Sequence, residues 1–219
     1  MIEHIGVAAG WAVLGFALGF GIRRLTVWLT YREEGLEPGF KPWQVWGPPI
    51  AAAALFAVAG WLFYPHWVPM LIRTLWIAVL VQVIFFDAEH RLILDKVILP
   101  AIVAALVLSF LTPHLGLLQS LLTALGAGLV FLLLALVGSA VFGQEALGFG
   151  DVKLVTFIGA VVGVYETAIV TALFLGVLFA GVISLLLVAL RIRSMKDAIP
   201  YGPFLAAGAL VVLYRLGSQ

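Results

Sequence analysis

Two aspartates are the residues of this sequence best placed to do chemistry, because each borders a long apolar run. Asp87 directly follows the apolar residues 83–86, and Asp151 lies in Gly-Phe-Gly-Asp-Val-Lys-Leu, directly before another run. Two adjacent carboxylates cannot both ionise cheaply, so they hold one proton between them. The ionised member activates a water molecule, while the protonated member hydrogen-bonds a peptide carbonyl. The pattern predicts an aspartic dyad that hydrolyses peptide bonds without a metal or cofactor.

The residues around Asp151 suit a peptide substrate. Gly148 and Gly150 lack a Cβ, so we expect an extended substrate strand to approach the backbone there. Lys153 is expected to support the site, either as an anchor at the lipid headgroups or through its charge beside Asp151.

Near Asp87, other polar residues have simpler interpretations. Asp95 is a candidate supporting residue for the site at Asp87. Its simpler structural role is to cap a helix that begins near Lys96. Glu89 and His90 are interpreted as rim residues rather than as the acid or base. A charged residue at a helix end is, taken alone, most often a solvated or capping residue.

Composition removes several classes of function. The chain has no cysteine, which excludes disulfides and thiolate nucleophiles, and its four histidines lack metal-ligand spacing. We therefore expect no metal site. A net charge of +1 gives no indication of a nucleic-acid partner. With 64% hydrophobic and 11% charged residues in 219, the chain exposes more apolar surface than a soluble domain, so its partner is the lipid bilayer.

The apolar runs that must position the aspartates predict an all-α, polytopic transmembrane helical bundle. A membrane-spanning helix needs about 20 apolar residues. Eight candidate segments follow, of which the sixth is short: 5–22, 46–63, 67–86, 97–112, 116–142, 153–164, 166–190 and 200–216. The first has no positive region before it and no evident cleavage site, so we expect a retained helix rather than a signal peptide.

Basic residues concentrate in alternate connections, which predicts the orientation. Ten of the twelve Lys and Arg residues lie in or beside the odd-numbered connections: Arg23, Arg24, Arg32, Lys41, Arg91, Lys96, Lys153, Arg191, Arg193 and Lys196. Such residues are retained in the cytoplasm. We therefore expect both termini to be non-cytoplasmic and 23–45 to be a short cytoplasmic loop. Asp87 and Asp151 then face the cytoplasm at similar membrane depth.

Three motifs together resemble the type IV prepilin peptidase family, whose members are Gly-x-Gly-Asp membrane aspartic peptidases. They are an aspartate followed by a charged turn and a second aspartate at 87–95, Gly-x-Gly-Asp-x-Lys-Leu at 148–154, and Ile-Pro-Tyr-Gly-Pro-Phe-Leu-Ala at 199–206. The resemblance implies one membrane-embedded peptidase domain over 1–219, with a motif-bearing core at 87–206.

The same resemblance implies the reaction and the substrate. Asp87 and Asp151 match the family's catalytic pair. The substrate would be a pilin-like precursor with an apolar N-terminal helix and a short basic leader. The leader would be removed at the cytoplasmic face of the inner membrane.

The chain departs from that family at two places. Many bacterial relatives carry a cytoplasmic insert with two Cys-x-x-Cys pairs and also methylate the new N-terminus, whereas 23–45 is short and cysteine-free. We therefore expect neither methyltransferase activity nor a methyl donor. Leu94 also stands where proline is usual. Two alternatives remain open: a transporter or channel subunit that uses the aspartates as proton or ion relays, and an inactive assembly homologue.

Overall fold

The described part of the chain is entirely helical. The structure is a computed structural model that describes residues 1–112, 115–142, 148–192 and 200–216. Within these ranges there is no strand, and the eight α-helices confirm the predicted all-α fold. They are α1 (Ile2–Thr30), α2 (Pro42–Phe63), α3 (Trp67–His90), α4 (Asp95–Leu108), α5 (Leu117–Phe142), α6 (Phe149–Val162), α7 (Ala168–Ala189) and α8 (Gly202–Arg215).

Five of these helices are long and apolar enough to cross a membrane, namely α1, α2, α3, α5 and α7. The chain is therefore a multi-pass membrane protein. The other three, α4, α6 and α8, have 14 residues each. At 1.5 Å per residue each is about 21 Å long, shorter than a span. The sequence predicted one short segment, whereas the structure has three.

The first connection is shorter than predicted. The expected loop over 23–45 is helical up to Thr30, and the connection between α1 and α2 covers residues 31–41. The charge of Arg23 does not end the helix, because its side chain is buried and bonded to Glu89. Arg193 and Lys196, which also entered the orientation argument, lie outside the described residues.

Helices adjacent in the chain pack closely where one of them carries glycine. A Cβ on Gly19 of α1 would collide with the Pro49 backbone of α2. A Cβ on Gly159 of α6 would lie 2.7 Å from the Thr123 carbonyl oxygen of α5. Small residues let membrane helices approach in this way, and van der Waals contact then holds them together.

The core of the bundle lies around α3 and α6. The helix α3 is the most buried of the five spans. In the shorter α6, Leu154 and Val155 are buried, as is every residue from 157 to 162. Most of α6 is therefore enclosed by other helices, and α3 is buried over about half of its apolar length.

Candidate active site

Asp87 lies in the last turn of α3, three residues before the helix ends at His90. The N–H of Arg91, whose φ is 55°, donates to the Asp87 carbonyl oxygen at 2.8 Å and closes the helix. The Asp87 residue is 5% exposed. The backbone N–H of Gly202 hydrogen-bonds its carboxyl group, whereas Oδ2 has no hydrogen-bond partner within the described residues. A buried acceptor without a partner is uncommon and indicates a place for water, substrate or a proton.

Asp151 lies at the opposite kind of helix end, in the first turn of α6. Gly148 is the N-cap, and its carbonyl accepts the Asp151 N–H at 3.0 Å. The Asp151 carboxyl reaches back to the Gly148 N–H, as the third residue of a helix does in a capping box. Burial raises the pKa of the Asp151 carboxyl from 3.8 to about 6, and the bond from Gly148 opposes this rise.

The two aspartates line the same cavity of about 590 Å³. Their carboxyl groups are close enough to interact electrostatically. The lining comes from the connection 31–41, from the end of α3 to the start of α4, and from the start of α6; it comprises Glu33, Asp87, Arg91, Leu92, Ile93, Leu94, Asp95, Lys96, Gly148, Phe149, Gly150, Asp151 and Lys153. Three odd-numbered connections thus meet at one end of the bundle.

The other predicted site residues also reach this cavity, but two of their expected roles change. Lys153 Nζ bonds Asp95 Oδ1 at 2.5 Å, so its charge is directed to Asp95 rather than to Asp151 or the headgroups. The prediction that Asp95 caps a helix is wrong: α4 begins at Asp95, the N-cap is Leu94, and no side-chain cap bond forms. The carboxylate of Asp95 is occupied by Lys153 instead.

The two glycines differ in their surroundings. A Cβ on Gly148 would meet only the Asp151 carboxyl, at 3.5 Å, and the Gly150 backbone N, at 4.0 Å. A Cβ on Gly150 would lie 3.0 Å from the Ile93 Cβ, so Gly150 lets α6 pack against the turn after α3. Close approach of a substrate is therefore compatible with Gly148, while Gly150 has a packing role.

The interpretation of Glu89 and His90 as rim residues is wrong. Neither lines the cavity. The Glu89 side chain is 3% exposed and bonds Arg23 Nη1 at 2.8 Å. His90 Nε2 lies 3.1 Å from the hydroxyl of Thr30. Because these partners lie about 60 residues away in the chain, the short-range pattern around Asp87 could not reveal them.

Sequence reasoning also missed three residues that line the cavity and one that packs against Asp87 from outside its lining. Arg91 lies on the cavity wall and interacts electrostatically with Asp87. Glu33 and Lys96 form an ion pair of 2.6 Å at the same cavity. Gly202 packs against Asp87, since a Cβ there would lie 2.7 Å from Asp87 Oδ2. The motif at 199–206 was the only available signal for Gly202. Among the described residues, no group of three or more His, Asp or Glu side chains is placed to hold a metal ion.

Comparison with known proteins identifies a family for this chain. A family model described as the type IV leader peptidase family matches residues 74–189, more than half of the chain, and includes both aspartates. A "Prepilin leader peptidase/N-methyltransferase" of Aeromonas salmonicida is 29% identical over 164 residues, which cover 75% of this chain and 55% of that protein.

Two further relatives bear the same name. The Pseudomonas aeruginosa protein is 33% identical over 171 residues, covering 75% of this chain and 56% of the relative. The Dichelobacter nodosus protein is 34% identical over 142 residues, covering 62% and 46%. The chain thus spans about half the length of the curated relatives it matches. No solved structure matches it. With the family model covering most of α3 through α7, the chain belongs to the type IV leader peptidase family.

Proposed function

We propose that the chain is a membrane aspartic endopeptidase that removes the leader from type IV prepilins or pilin-like precursors. The observation that carries this proposal is that Asp87 and Asp151, from different helices, line one cavity and interact electrostatically. The names of the relatives supply the substrate class.

The surroundings of the two carboxyl groups suggest how they divide the work. Asp151 lies at a helix N-terminus, where the helix dipole and the Gly148 N–H favour an anion. We assign it the role of general base. Asp87 is more deeply buried and has one oxygen without a hydrogen-bond partner in the described residues, so we assign it the shared proton.

The reaction then runs in two steps. A water oxygen attacks the scissile carbonyl carbon while Asp151 takes the water proton, and the Asp87 proton is hydrogen-bonded to the carbonyl oxygen. The C–N bond breaks as the amine leaves with a proton from the dyad. The products are a carboxylic acid and an amine, and no covalent intermediate forms with the enzyme.

The position of the cavity fits a substrate held in the membrane. An apolar helix of the precursor would lie in the bilayer, and its polar leader would reach the cavity as an extended segment. The orientation that the basic residues favour puts this cavity on the cytoplasmic side of the plasma membrane.

Co-expression with a pilin-like precursor tests the proposal. The unmodified chain should shorten the precursor by the length of its leader, measured by mass spectrometry. Asp87→Asn and Asp151→Asn should each abolish cleavage, while Glu3→Gln at the exposed start of α1 should retain it. Full processing by either aspartate variant would refute the dyad. An ion flux that needs both aspartates, without cleavage, would support a transporter instead.

The same spectra report on methylation. We propose that the new amino terminus stays unmethylated, because the connection 31–41 contains no cysteine and is much shorter than the cysteine-rich insert of many bacterial relatives. A mass increase of one methyl group, dependent on this chain, would contradict that proposal.

A further inference from the structure

A buried ion pair joins α1 to the last turn of α3. Arg23 Nη1 donates to Glu89 Oε2 at 2.8 Å, and the two side chains are 8% and 3% exposed. The other Glu89 oxygen accepts the Gly39 N–H at 2.6 Å. Arg23 also donates to the Gly39 carbonyl oxygen. Both polar groups of one backbone residue are therefore bonded to the buried pair.

The connection that contains Gly39 is fixed at two more points. Leu36 packs against the buried residues Leu29, Phe86 and Leu94. Glu33 bonds Lys96 at 2.6 Å, and both of these residues line the cavity. The exposed Glu33–Lys96 pair contributes little stability by itself. The buried pair at Gly39 is consequently the strongest polar attachment of 31–41.

The last turn of α3 thus carries two different functions on two faces. Asp87 and Glu89 are two residues apart, which places them about 200° apart around a helix. Asp87 lines the cavity, whereas Glu89 binds the base of the connection 31–41. A change at Glu89 can therefore release the connection without removing a group from the dyad.

We propose that Arg23 and Glu89 are positioning residues that hold 31–41 in place, so that Glu33 forms a fixed part of the cavity wall against which the precursor segment lies. This inference rests on the proposed peptidase function. The wall acts on binding of the precursor, and the carboxyl pair performs the chemistry. Loss of the ion pair should raise KM for the precursor about tenfold or more, because an uncompensated buried charge opens the connection. The value of kcat should change much less.

Because the chain has no cysteine, a single introduced thiol can report how firmly 31–41 is held. Leu36→Cys puts a thiol on the half-buried face of 31–41, and Glu37→Cys puts one on its exposed face. In detergent, a maleimide should label Leu36→Cys about tenfold faster or more once Glu89→Gln is added. The rate at Glu37→Cys should be the same with and without Glu89→Gln. Arg23→Lys, which keeps the charge, is the milder variant if Glu89→Gln folds poorly.

Arg73 provides the matched control. It is also a buried arginine, at the far end of α3, and donates to the Leu216 carbonyl oxygen at 2.8 Å. Arg73→Lys should lower stability without changing the labelling of Leu36→Cys or KM.

Three outcomes decide the matter. Faster labelling together with higher KM supports the inference. Unchanged labelling, or a fall in kcat with KM unchanged, overturns it, since the pair would then act on the dyad or on general stability. If the unmodified chain cleaves no precursor, the proposed function fails, but labelling still shows whether the pair holds 31–41, and unchanged labelling overturns that part too.

Discussion

The partly buried carboxyl group of Asp151 lowers the stability of the fold when it is ionised. Burial raises its pKa from 3.8 to about 6, so folding favours the protonated form. Between these two pH values the folded chain holds a proton that the unfolded chain has lost. The stabilising effect of that proton is fully present below pH 4 and is lost as the pH rises through 6.

Asp151→Asn should therefore stabilise the protein at pH 8 while abolishing cleavage. The amide keeps the shape but has no charge to desolvate. We expect the free energy of unfolding to rise by about 1–3 kcal/mol at pH 8, given 1.36 kcal/mol per pKa unit. At pH 4 it should hardly change. Thermal unfolding in detergent at the two pH values measures this. A variant that is less stable at pH 8 would show that the charged group is held by stronger partners than the Gly148 N–H.

Gly202→Ala should impair catalysis more than folding. The new Cβ would lie 2.7 Å from Asp87 Oδ2 and 3.1 Å from its Cγ, so the carboxyl group must turn away from its present position. Displacing a catalytic group by about 1 Å can lower the rate of the chemical step about a hundredfold. We expect kcat/KM to fall about tenfold to a hundredfold.

Gly181→Ala in α7 is the control for that variant, because no atom lies within 4 Å of its added Cβ. Its cleavage rate should equal that of the unmodified chain, and both variants should unfold within about 1 kcal/mol of it. Full activity of Gly202→Ala would show that Asp87 tolerates the displacement.

For individual residues, the sequence predicts those that border apolar runs but not the ion pairs between distant parts of the chain. Asp87 and Asp151 could be selected because each follows or precedes such a run, and the structure brings both to one cavity. The partner of Glu89 could not be predicted, since Arg23 is 66 residues away and a buried ion pair leaves no local pattern. The Lys153–Asp95 pair, 58 residues apart, was missed for the same reason.

Among the helices, the α5/α6 contact determines where Asp151 is held. Gly159→Ala would push a Cβ to 2.7 Å from the Thr123 carbonyl oxygen and 3.0 Å from the Ala124 Cα, both backbone atoms that cannot turn aside. Overpacking of this kind destabilises by about 1–3 kcal/mol. We expect a lower unfolding temperature and reduced cleavage, since α6 must shift together with Asp151.

Gly126→Ala in α5 is the matched substitution, because nothing lies within 4 Å of the added Cβ. It should preserve the unfolding temperature or raise it slightly, since alanine is the better helix former. Equal unfolding temperatures for the Gly159 and Gly126 variants would refute the close contact of α5 and α6.

Helix positions were predictable to the extent that apolar runs define them. All eight runs correspond to helices, since each run must bury or lipid-shield its apolar side chains. The end of α1 was missed because Arg23 and Arg24 looked like the start of a loop. The helix continues through them because Arg23 pairs with Glu89 of α3 inside the bundle. That contact joins residues far apart in the chain, so the local sequence does not show it.

On the scale of the whole molecule, the orientation in the membrane follows from its basic residues. We predict that 31–41 faces the cytoplasm and that the connection at His66 faces outward. Glu37→Cys and His66→Cys in intact cells, treated with a membrane-impermeant maleimide, test this. His66→Cys should react from outside, and Glu37→Cys only after lysis. The reverse pattern would invert the orientation and put the cavity on the wrong side for a cytoplasmic leader.

The three short helices have a consequence for the membrane itself. The first residues of α4 and α6 line the cavity, and α8 begins beside Asp87. Each is about 21 Å long, against a hydrocarbon layer of about 30 Å. The difference of about 9 Å means that lipid beside these three helices must thin, unless the five longer helices keep it away from them.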